Sequence, residues 1–153
     1  MILLGDTTHG AMIASAAGIG FDRERDQCIS RVTRDGQLLG GVVFTNYNGA
    51  AIWAHFSGVP GWATRELVWV CCDYPFMQLK VKHVLTTVSS RNTKVLAIVK
   101  RLGMKQLYSI KDAVPEGGSL VLFSLSKANC KWIKLRSRYI KANGHAETVH
   151  AHL

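Results

Sequence analysis

The stretch Val88-Ser-Ser-Arg-Asn-Thr-Lys-Val-Leu-Ala-Ile-Val-Lys-Arg-Leu-Gly-Met104 joins an extended segment to a helix, and it decides the fold. The apolar, β-branched segment 82–88 that leads into it is typical of a buried strand. Asn92 stands where a helix N-cap belongs, and Gly103 follows the helix as a C-cap does. The stretch therefore predicts a strand, a polar elbow, a helix ended by glycine, and a second strand. Its apolar residues recur with helical spacing at Val95, Leu96, Val99 and Leu102.

The remainder of the chain predicts a meander of antiparallel strands before this unit and a hairpin after it. Asp35-Gly36 and Asn46-Tyr-Asn-Gly49 are turn sequences that separate three apolar segments. Gly40 and Gly41 in the middle segment indicate a bulge or a close approach by another backbone. Pro75 is expected to kink or end its helix. The predicted strands cover 1–4, 28–34, 38–45, 50–57, 82–88, 105–111 and 119–125, and two further helices cover 9–17, capped by Asp6, Thr7 or Thr8, and 62–79.

The elbow pattern, Ser-x-x-Asn followed by three helical turns and Arg-Leu-Gly-Met, resembles the last βαβ unit of the GNAT family of acyl-CoA-dependent N-acyltransferases. The predicted order of elements is also similar to that of this family, and the resemblance covers roughly residues 1–126. It implies an α/β (α+β) domain with a mixed, mainly antiparallel central sheet flanked by helices. One of the two usual N-terminal helices would be shortened or missing.

A narrower resemblance rests on two short motifs. The helix start Trp62-Ala-Thr-Arg-Glu-Leu67 and the ending Cys130-Lys-Trp132 are similar to motifs of short, divergent GNAT members encoded by tailed bacteriophages. This resemblance implies a viral protein that acts in the host cytoplasm or is associated with the virion.

The length, composition and net charge indicate a basic, globular chain. A length of 153 residues suits one domain, and no apolar run reaches the ~18 residues that cross a bilayer, so we expect a cytoplasmic protein without a membrane partner. We divide the chain into a GNAT-like domain, 1–126, and a basic C-terminal extension, 127–153, which we expect to be partly disordered. The net charge of +9 favours an acidic partner, such as nucleic acid, a CoA-type phosphate or an anionic protein surface.

The four cysteines show no Cys-x-x-Cys spacing, and we expect them to be buried thiols. We predict no metal site. His83 is expected to be structural. His145, His150 and His152 stand in the C-terminal extension, where we expect weak adventitious metal binding and not a built metal site.

The GNAT resemblance implies acetyl-CoA as cofactor and a phosphate-binding loop before the second long helix. The family pattern Arg/Gln-x-x-Gly-x-Gly/Ala matches Gly58-Val-Pro-Gly-Trp-Ala63, although Gly58 replaces the leading Arg/Gln and Pro60 removes an N–H donor. Backbone amides at a helix N-terminus bind phosphate oxygens. The alternatives are an ordinary strand–helix turn and, for Asn92, a simple N-cap. The implied cofactor-binding residues are Phe56, Ser57, Gly61, Trp62, Ala63, Thr64, Arg65 and Asn92.

For catalysis, His55 is the candidate general base, because a neutral imidazole suits deprotonation of an ammonium acceptor. Alternation places Trp53, His55 and Ser57 on one face of their strand, and a structural histidine is the competing interpretation. The family's usual general acid, a tyrosine seven residues after the asparagine, is Val99 here. Ser90 is taken as the second catalytic candidate, and Ser89, Tyr47 or Tyr108 are alternatives to it.

Three functional hypotheses follow from these residues. The first is an N-acyltransferase that acts on an unidentified amine, with an amine on a macromolecule as one candidate. The second is a non-catalytic GNAT-fold phage protein that acts in virion assembly or binds a host partner or another copy of itself. The third is DNA base modification of the phage Mom type. The basic segment 127–141, with Trp132 and Tyr139, is a candidate nucleic-acid site, whereas docking of Trp132, Ile133 and Leu135 on the core is the alternative.

Overall fold

The computed structural model describes residues 1–134 and shows one sheet of seven strands with three longer helices. A π-helical turn at Tyr74–Gln78 and a 3-10 turn at Lys127–Asn129 complete the elements. The strands are β1 (Ile2–Leu4), β2 (Gln27–Val32), β3 (Leu38–Thr45), β4 (Ala51–Gly58), β5 (His83–Ser89), β6 (Lys105–Ile110) and β7 (Leu120–Ser126), and the helices are α1 (Thr7–Ala16), α2 (Arg65–Asp73) and α3 (Thr93–Leu102).

The strands lie in the order β1-β2-β3-β4-β5-β7-β6, and every neighbouring pair is antiparallel except β4 with β5. The parallel pair needs a crossover, which the chain makes through α2. This arrangement confirms the prediction of a mixed, mainly antiparallel sheet. It also confirms the meander of β2, β3 and β4 and the final hairpin.

Apolar side chains pack on both faces of the sheet. The larger core lies on the face that carries α2 and α3, and includes Phe44, Phe76 and Phe123. The smaller core lies under α1 and centres on Ile13 and Val43. Because α1 packs over β2, β3 and β4, it covers only one half of its face of the sheet.

Only one helix precedes the meander, as predicted, and its local signals explain where it begins. The Asp6 side chain accepts a hydrogen bond from the His9 amide at 2.8 Å and so caps α1. Phe21 then lies against Gly10, where an added Cβ would stand 2.4 Å from the ring. Glycine at this position lets the chain after α1 return closely over the helix.

The predicted start of α2 at Trp62 is wrong. The helix begins at Arg65 because Thr64 caps it, with its hydroxyl 3.4 Å from the Leu67 amide. Trp62 is instead 8% exposed and belongs to the larger core. At the other end α2 stops at Asp73, and Pro75, which lacks an N–H, lies in the π-helical turn that follows.

The elbow helix has the predicted caps. Asn92 Oδ1 accepts a hydrogen bond from the Val95 amide at 3.2 Å, and Gly103 ends α3 in the left-handed conformation with φ of 86°. Gly40 and Gly41 make the close approaches that their sequence predicts. A Cβ at Gly40 would lie 2.6 Å from the Gly58 Cα, and one at Gly41 would lie 2.4 Å from the Ile29 carbonyl oxygen.

The first residues after β7 belong to the core. Cys130 is fully buried beside Cys72, and Trp132 and Ile133 pack against the larger core. This confirms the docking alternative for those two residues. The predictions for Leu135, for the remaining basic segment and for the C-terminal histidines lie outside the described residues.

The thiols of Cys28, Cys72 and Cys130 are buried, as expected, and Cys71 is half-buried. Among residues 1–134, no cluster of three or more His, Cys, Asp or Glu side chains could hold a metal ion. In the same part of the chain, every helix is too short or too polar to cross a bilayer.

Candidate functional site

The parallel pairing of β4 with β5 is short and leaves an opening in the middle of the sheet. The two strands pair only where Ala51–Trp53 face His83–Leu85. Beyond these residues β4 continues to Gly58 and β5 to Ser89, without further pairing between them. We call this opening the β4–β5 gap. Its borders carry backbone groups that the sheet itself does not satisfy.

An apolar cavity of about 70 Å³ adjoins the gap on the face of the sheet that carries α2 and α3. Ala54, Phe56 and Val84 line it from the strands bordering the gap. Its walls suit a hydrocarbon chain and exclude a charged group. Helices and the loop before α2 contribute Ala63, Leu67, Val68, Ile98 and Leu102.

The loop between β4 and α2 is shaped by Trp62. A Cβ at Gly58 would lie 2.4 Å from the Trp62 indole, so the indole fills the space that a side chain at position 58 would need. This explains why the Arg or Gln of the family pattern has no counterpart here. Arg31, on β2, holds the loop from outside, since its guanidinium donates to the carbonyl oxygens of Gly61 at 2.9 Å and Trp62 at 3.3 Å.

The backbone amides of this loop divide into two groups. The Trp62 amide donates to the Val59 carbonyl, and the Thr64 amide donates to the Trp62 carbonyl, so neither can bind a ligand. Among described groups, the amides of Gly61, Ala63 and Arg65 have no hydrogen-bond partner. They stand at the positive end of α2, beside the exposed Arg65 side chain. Glu66, in the same helical turn, places one carboxylate close to them.

His55 lies on the opposite face of the sheet, two residues beyond the last paired residue of β4. Its Nε2 is 3.2 Å from the Thr45 hydroxyl oxygen. Burial lowers the His55 pKa below 6.5, and the carboxylate of Asp26 opposes that shift. The imidazole is therefore neutral at neutral pH and can accept a proton.

A cleft of about 820 Å³ opens beside His55 under the segment that follows α1. We call it the His55 cleft. Its polar lining includes two carboxylates, Asp22 and Asp26, the phenol of Tyr47 and the guanidinium of Arg25, whose Nε lies 3.6 Å from an Asp22 carboxylate oxygen. Because α1 leaves β5, β7 and β6 uncovered by any described helix on this face, the sheet remains open beyond the β4–β5 gap.

The remaining candidates are distributed between the two faces and the elbow. Ser90 is engaged with β7, since its hydroxyl accepts from the Ser119 amide at 2.9 Å and its amide donates to the Ser119 carbonyl. Val99 is fully buried on α3, and Asn92 caps that helix.

Phe56 lines the apolar cavity, whereas Ser57 is half-buried on the His55 face. Tyr108 lies on β6, at the edge of the sheet, so Tyr47 is the tyrosine that the fold brings to His55.

Sequence reasoning missed three contributors to these surfaces, namely Asp22, Asp26 and Arg31. The first two belong to the charged segment 21–26, for which the sequence is compatible with a loop or a turn of helix, and the third is a strand residue. Their roles depend on contacts with residues more than 20 positions away, so no local pattern points to them.

Known structures share this architecture. A point mutant of spermidine N-acetyltransferase SpeG from Vibrio cholerae superposes with a TM-score of 0.63 over 88% of this chain and 98% of its own, at 12% identity. A GNAT-family acetyltransferase from Bacillus anthracis gives a TM-score of 0.59 over 83% of this chain and 95% of its own, at 14% identity. The fold is that of the GNAT acetyltransferases. No protein-family model matches the sequence, and no curated protein matches it either.

Proposed function

We propose that the chain is an acyl-CoA-dependent N-acyltransferase in which the acyl donor occupies the β4–β5 gap and the amine acceptor binds in the His55 cleft. One observation carries this proposal: the gap separates an apolar cavity on one face from a neutral histidine on the other. A donor that threads the gap would bring its acyl group to the face where His55 lies. The GNAT fold supports the same arrangement.

The residues present fit acetyl-CoA in two of its parts. The free amides of Gly61, Ala63 and Arg65, with the Arg65 guanidinium, suit the phosphates. The cavity lining suits the methylene groups of the pantetheine arm, and the unpaired backbone groups that border the β4–β5 gap suit its amides. Acetyl-CoA would supply the activated thioester. Trp62 and Thr64, predicted as ligands, would contribute structure instead, because their amides are already bonded within the loop.

On the acceptor side, His55 would take a proton from the ammonium group of the acceptor, which leaves a neutral amine with the lone pair needed for attack. Asp22 is already paired with Arg25, so Asp26 is the carboxylate that favours a cationic amine. The V. cholerae protein acts, according to its name, on such an amine, spermidine. The uncovered sheet face beside the cleft leaves room for an amine carried by a macromolecule. The acceptor is therefore proposed as a protonated primary amine, either free or on a larger molecule.

Calorimetric titration of the full chain with acetyl-CoA tests the donor half of this proposal, with free CoA and ATP as controls. We expect micromolar binding and a raised unfolding temperature, because a ligand that binds only the folded state stabilises it. Arg31→Met should weaken binding about tenfold by releasing the loop carbonyls. Arg34→Met removes a nearby exposed arginine without such contacts and should bind as the wild type does. Absence of binding at millimolar acetyl-CoA would overturn the proposal.

Transfer to spermidine and to a lysine-containing peptide tests the acceptor half. His55→Gln should slow transfer about 100-fold or more, as loss of a general base does, while acetyl-CoA binding is retained. Equal transfer rates for the variant and the wild type would exclude His55 as the base and leave Ser90 and Tyr47 to be replaced in turn.

The second candidate function is a GNAT-fold protein without catalysis, and one observation favours it. Val99 is fully buried where the family carries its tyrosine, so this position has no proton to give to a leaving thiolate. Such a protein would bind a host or virion partner, in keeping with the resemblance to phage-encoded members. Binding of acetyl-CoA without transfer to any amine would support this candidate, whereas a salt-steep affinity for duplex DNA would favour base modification.

A further inference from the structure

Strand β6 forms one border of the sheet, and all six of its residues are exposed. Among the described residues β7 is its only neighbouring strand, so one row of its backbone N–H and C=O groups has no strand partner. We call this outer border, Lys105–Ile110 with Lys111, the β6 edge. A strand that is open along its outer border is a template for the addition of another strand.

The β6 edge also carries exposed apolar side chains. Leu107, Tyr108 and Ile110 are 51%, 66% and 50% exposed. The pairing register sets Tyr108 beside Leu122 and Ile110 beside Leu120, on the sheet face that α1 leaves uncovered. An added strand could therefore gain apolar contacts as well as backbone hydrogen bonds.

Charge is distributed unevenly along the chain, and the β6 edge lies in the basic part. Residues 1–89 contain seven Lys or Arg and seven Asp or Glu, whereas residues 90–134 contain nine basic residues and only two acidic ones. Lys105 and Lys111 stand at the two ends of β6, and Lys100 and Arg101 precede it at the end of α3. This positive field attracts an acidic partner.

The geometry points to an acidic, extended segment of a partner protein that pairs with the β6 edge as an additional strand. Its backbone would satisfy the open row of β6, its apolar residues would lie against Tyr108 and Ile110, and its carboxylates would face Lys105 and Lys111. This inference does not depend on the transferase proposal.

The charges disfavour the other strand-forming occupants. A second copy would bring two β6 edges of the same positive sign together, and like charges that face each other across a strand pair are destabilising. Residues 135–153 of the chain itself carry three basic residues and one acidic residue, so they are not complementary either. Nucleic acid would match the charge but would use neither the row of amides nor the apolar side chains.

A capped synthetic peptide that alternates Glu and Val tests this inference on the full chain, with amide hydrogen exchange as the readout. We expect the peptide to bind and to slow exchange of the β6 amides, because added strand pairing protects them. A peptide that alternates Lys and Val should bind about tenfold more weakly or not at all. An acidic peptide of the same charge interrupted by Pro should also fail to protect β6.

Charge reversal at the β6 edge supplies the matched variants. Lys105→Glu combined with Lys111→Glu should weaken binding of the Glu-Val peptide about tenfold or more. Arg23→Glu combined with Arg34→Glu makes the same change of net charge at two exposed positions elsewhere and should leave binding unchanged. If both double variants lost affinity for the Glu-Val peptide equally, net charge alone would explain the loss, and the inference would be overturned.

Two further outcomes would also overturn it. Duplex DNA or the Pro-interrupted peptide could bind as tightly as the Glu-Val peptide without protecting β6. Alternatively, the protein alone could sediment as a dimer with its β6 amides already protected, which would make a second copy the occupant.

Discussion

At the scale of single residues, His55 and Val99 occupy the positions on which acyl transfer would depend, and their surroundings differ. His55 is half-buried beside an open cleft and can accept a proton. Val99 is fully buried on α3 and carries no proton to give. Under the proposed function His55 would deprotonate the acceptor, whereas the proton for the leaving thiolate would have to come from another group. The Tyr47 hydroxyl shares the His55 cleft.

The burial of His55 predicts a specific dependence of stability on pH. Because its pKa is lower in the folded state than 6.5, the unfolded chain takes up a proton first as the solution is acidified. The contribution of this group is therefore fully present above about pH 6.5 and is lost as the pH falls through the folded pKa. We expect this loss to be smaller in His55→Gln than in the wild type when both are unfolded with urea between pH 7.5 and 5. The difference between the two free energies of unfolding should change with pH by no more than the slope for uptake of one proton.

Thr45→Val is the control for that experiment. It removes the hydroxyl 3.2 Å from His55 Nε2 but keeps the imidazole buried, so the loss of stability in acid should persist. If this variant abolished the dependence instead, the Thr45 contact and not burial would be its cause.

The sequence predicted some of these placements and not others, for identifiable reasons. Strand alternation placed His55 and Phe56 on opposite faces, because side chains on a strand follow a period of two. The engagement of Ser90 by Ser119 was not predictable, since it depends on which strand pairs with β5. Arg31 was missed for the same reason, because its partners Gly61 and Trp62 are 30 residues away along the chain.

At the scale of elements, the loop before α2 shows how a tertiary contact overrides a local pattern. Residues 62–64 continue the apolar spacing of α2, and the sequence therefore predicted helix there. The structure instead uses Trp62 to fill the space above Gly58, and Thr64 begins the helix. The elbow before α3 was predicted correctly because Asn92 and Gly103 are themselves the caps that set its ends.

The contact between Gly58 and Trp62 predicts strong coupling between these two positions. Gly58→Ala should lower the free energy of unfolding by about 2 kcal/mol or more, because the added Cβ meets the indole at 2.4 Å. In a Trp62→Ala background the same change should cost much less. Chemical denaturation of the four proteins of this cycle measures the coupling.

Gly20→Ala is the matched control for the cycle, because a Cβ there meets nothing within 4 Å. Additive effects of Gly58→Ala and Trp62→Ala would show that the indole does not restrict position 58.

At the scale of the whole molecule, the packing of the last described residues bears on where the folded unit ends. Cys130 is fully buried, and Trp132 and Ile133 cover part of the larger core. A chain that ends at residue 126 would lack all three. The division at that residue remains a prediction, and truncation tests it directly.

We expect a chain of residues 1–134 to unfold with nearly the free energy of the full chain. A chain of residues 1–126 should lose about 3 kcal/mol or more, because it exposes the apolar surface that these side chains cover. Denaturant titration of both truncated chains beside the full chain measures the difference. Equal stability of the two truncated chains would establish residue 126 as the boundary.

The short ladder between β4 and β5 has a mechanical consequence. It joins the two halves of the sheet through three residue pairs, whereas β3–β4 has six and β5–β7 has seven. Few backbone hydrogen bonds therefore join the two halves of the sheet, and we expect the angle between these halves to change more easily than the angles within each half. A ligand bound in the β4–β5 gap would contact both halves of the sheet. We therefore expect its presence to fix the angle between these halves, and with it the way their outer surfaces face the surroundings.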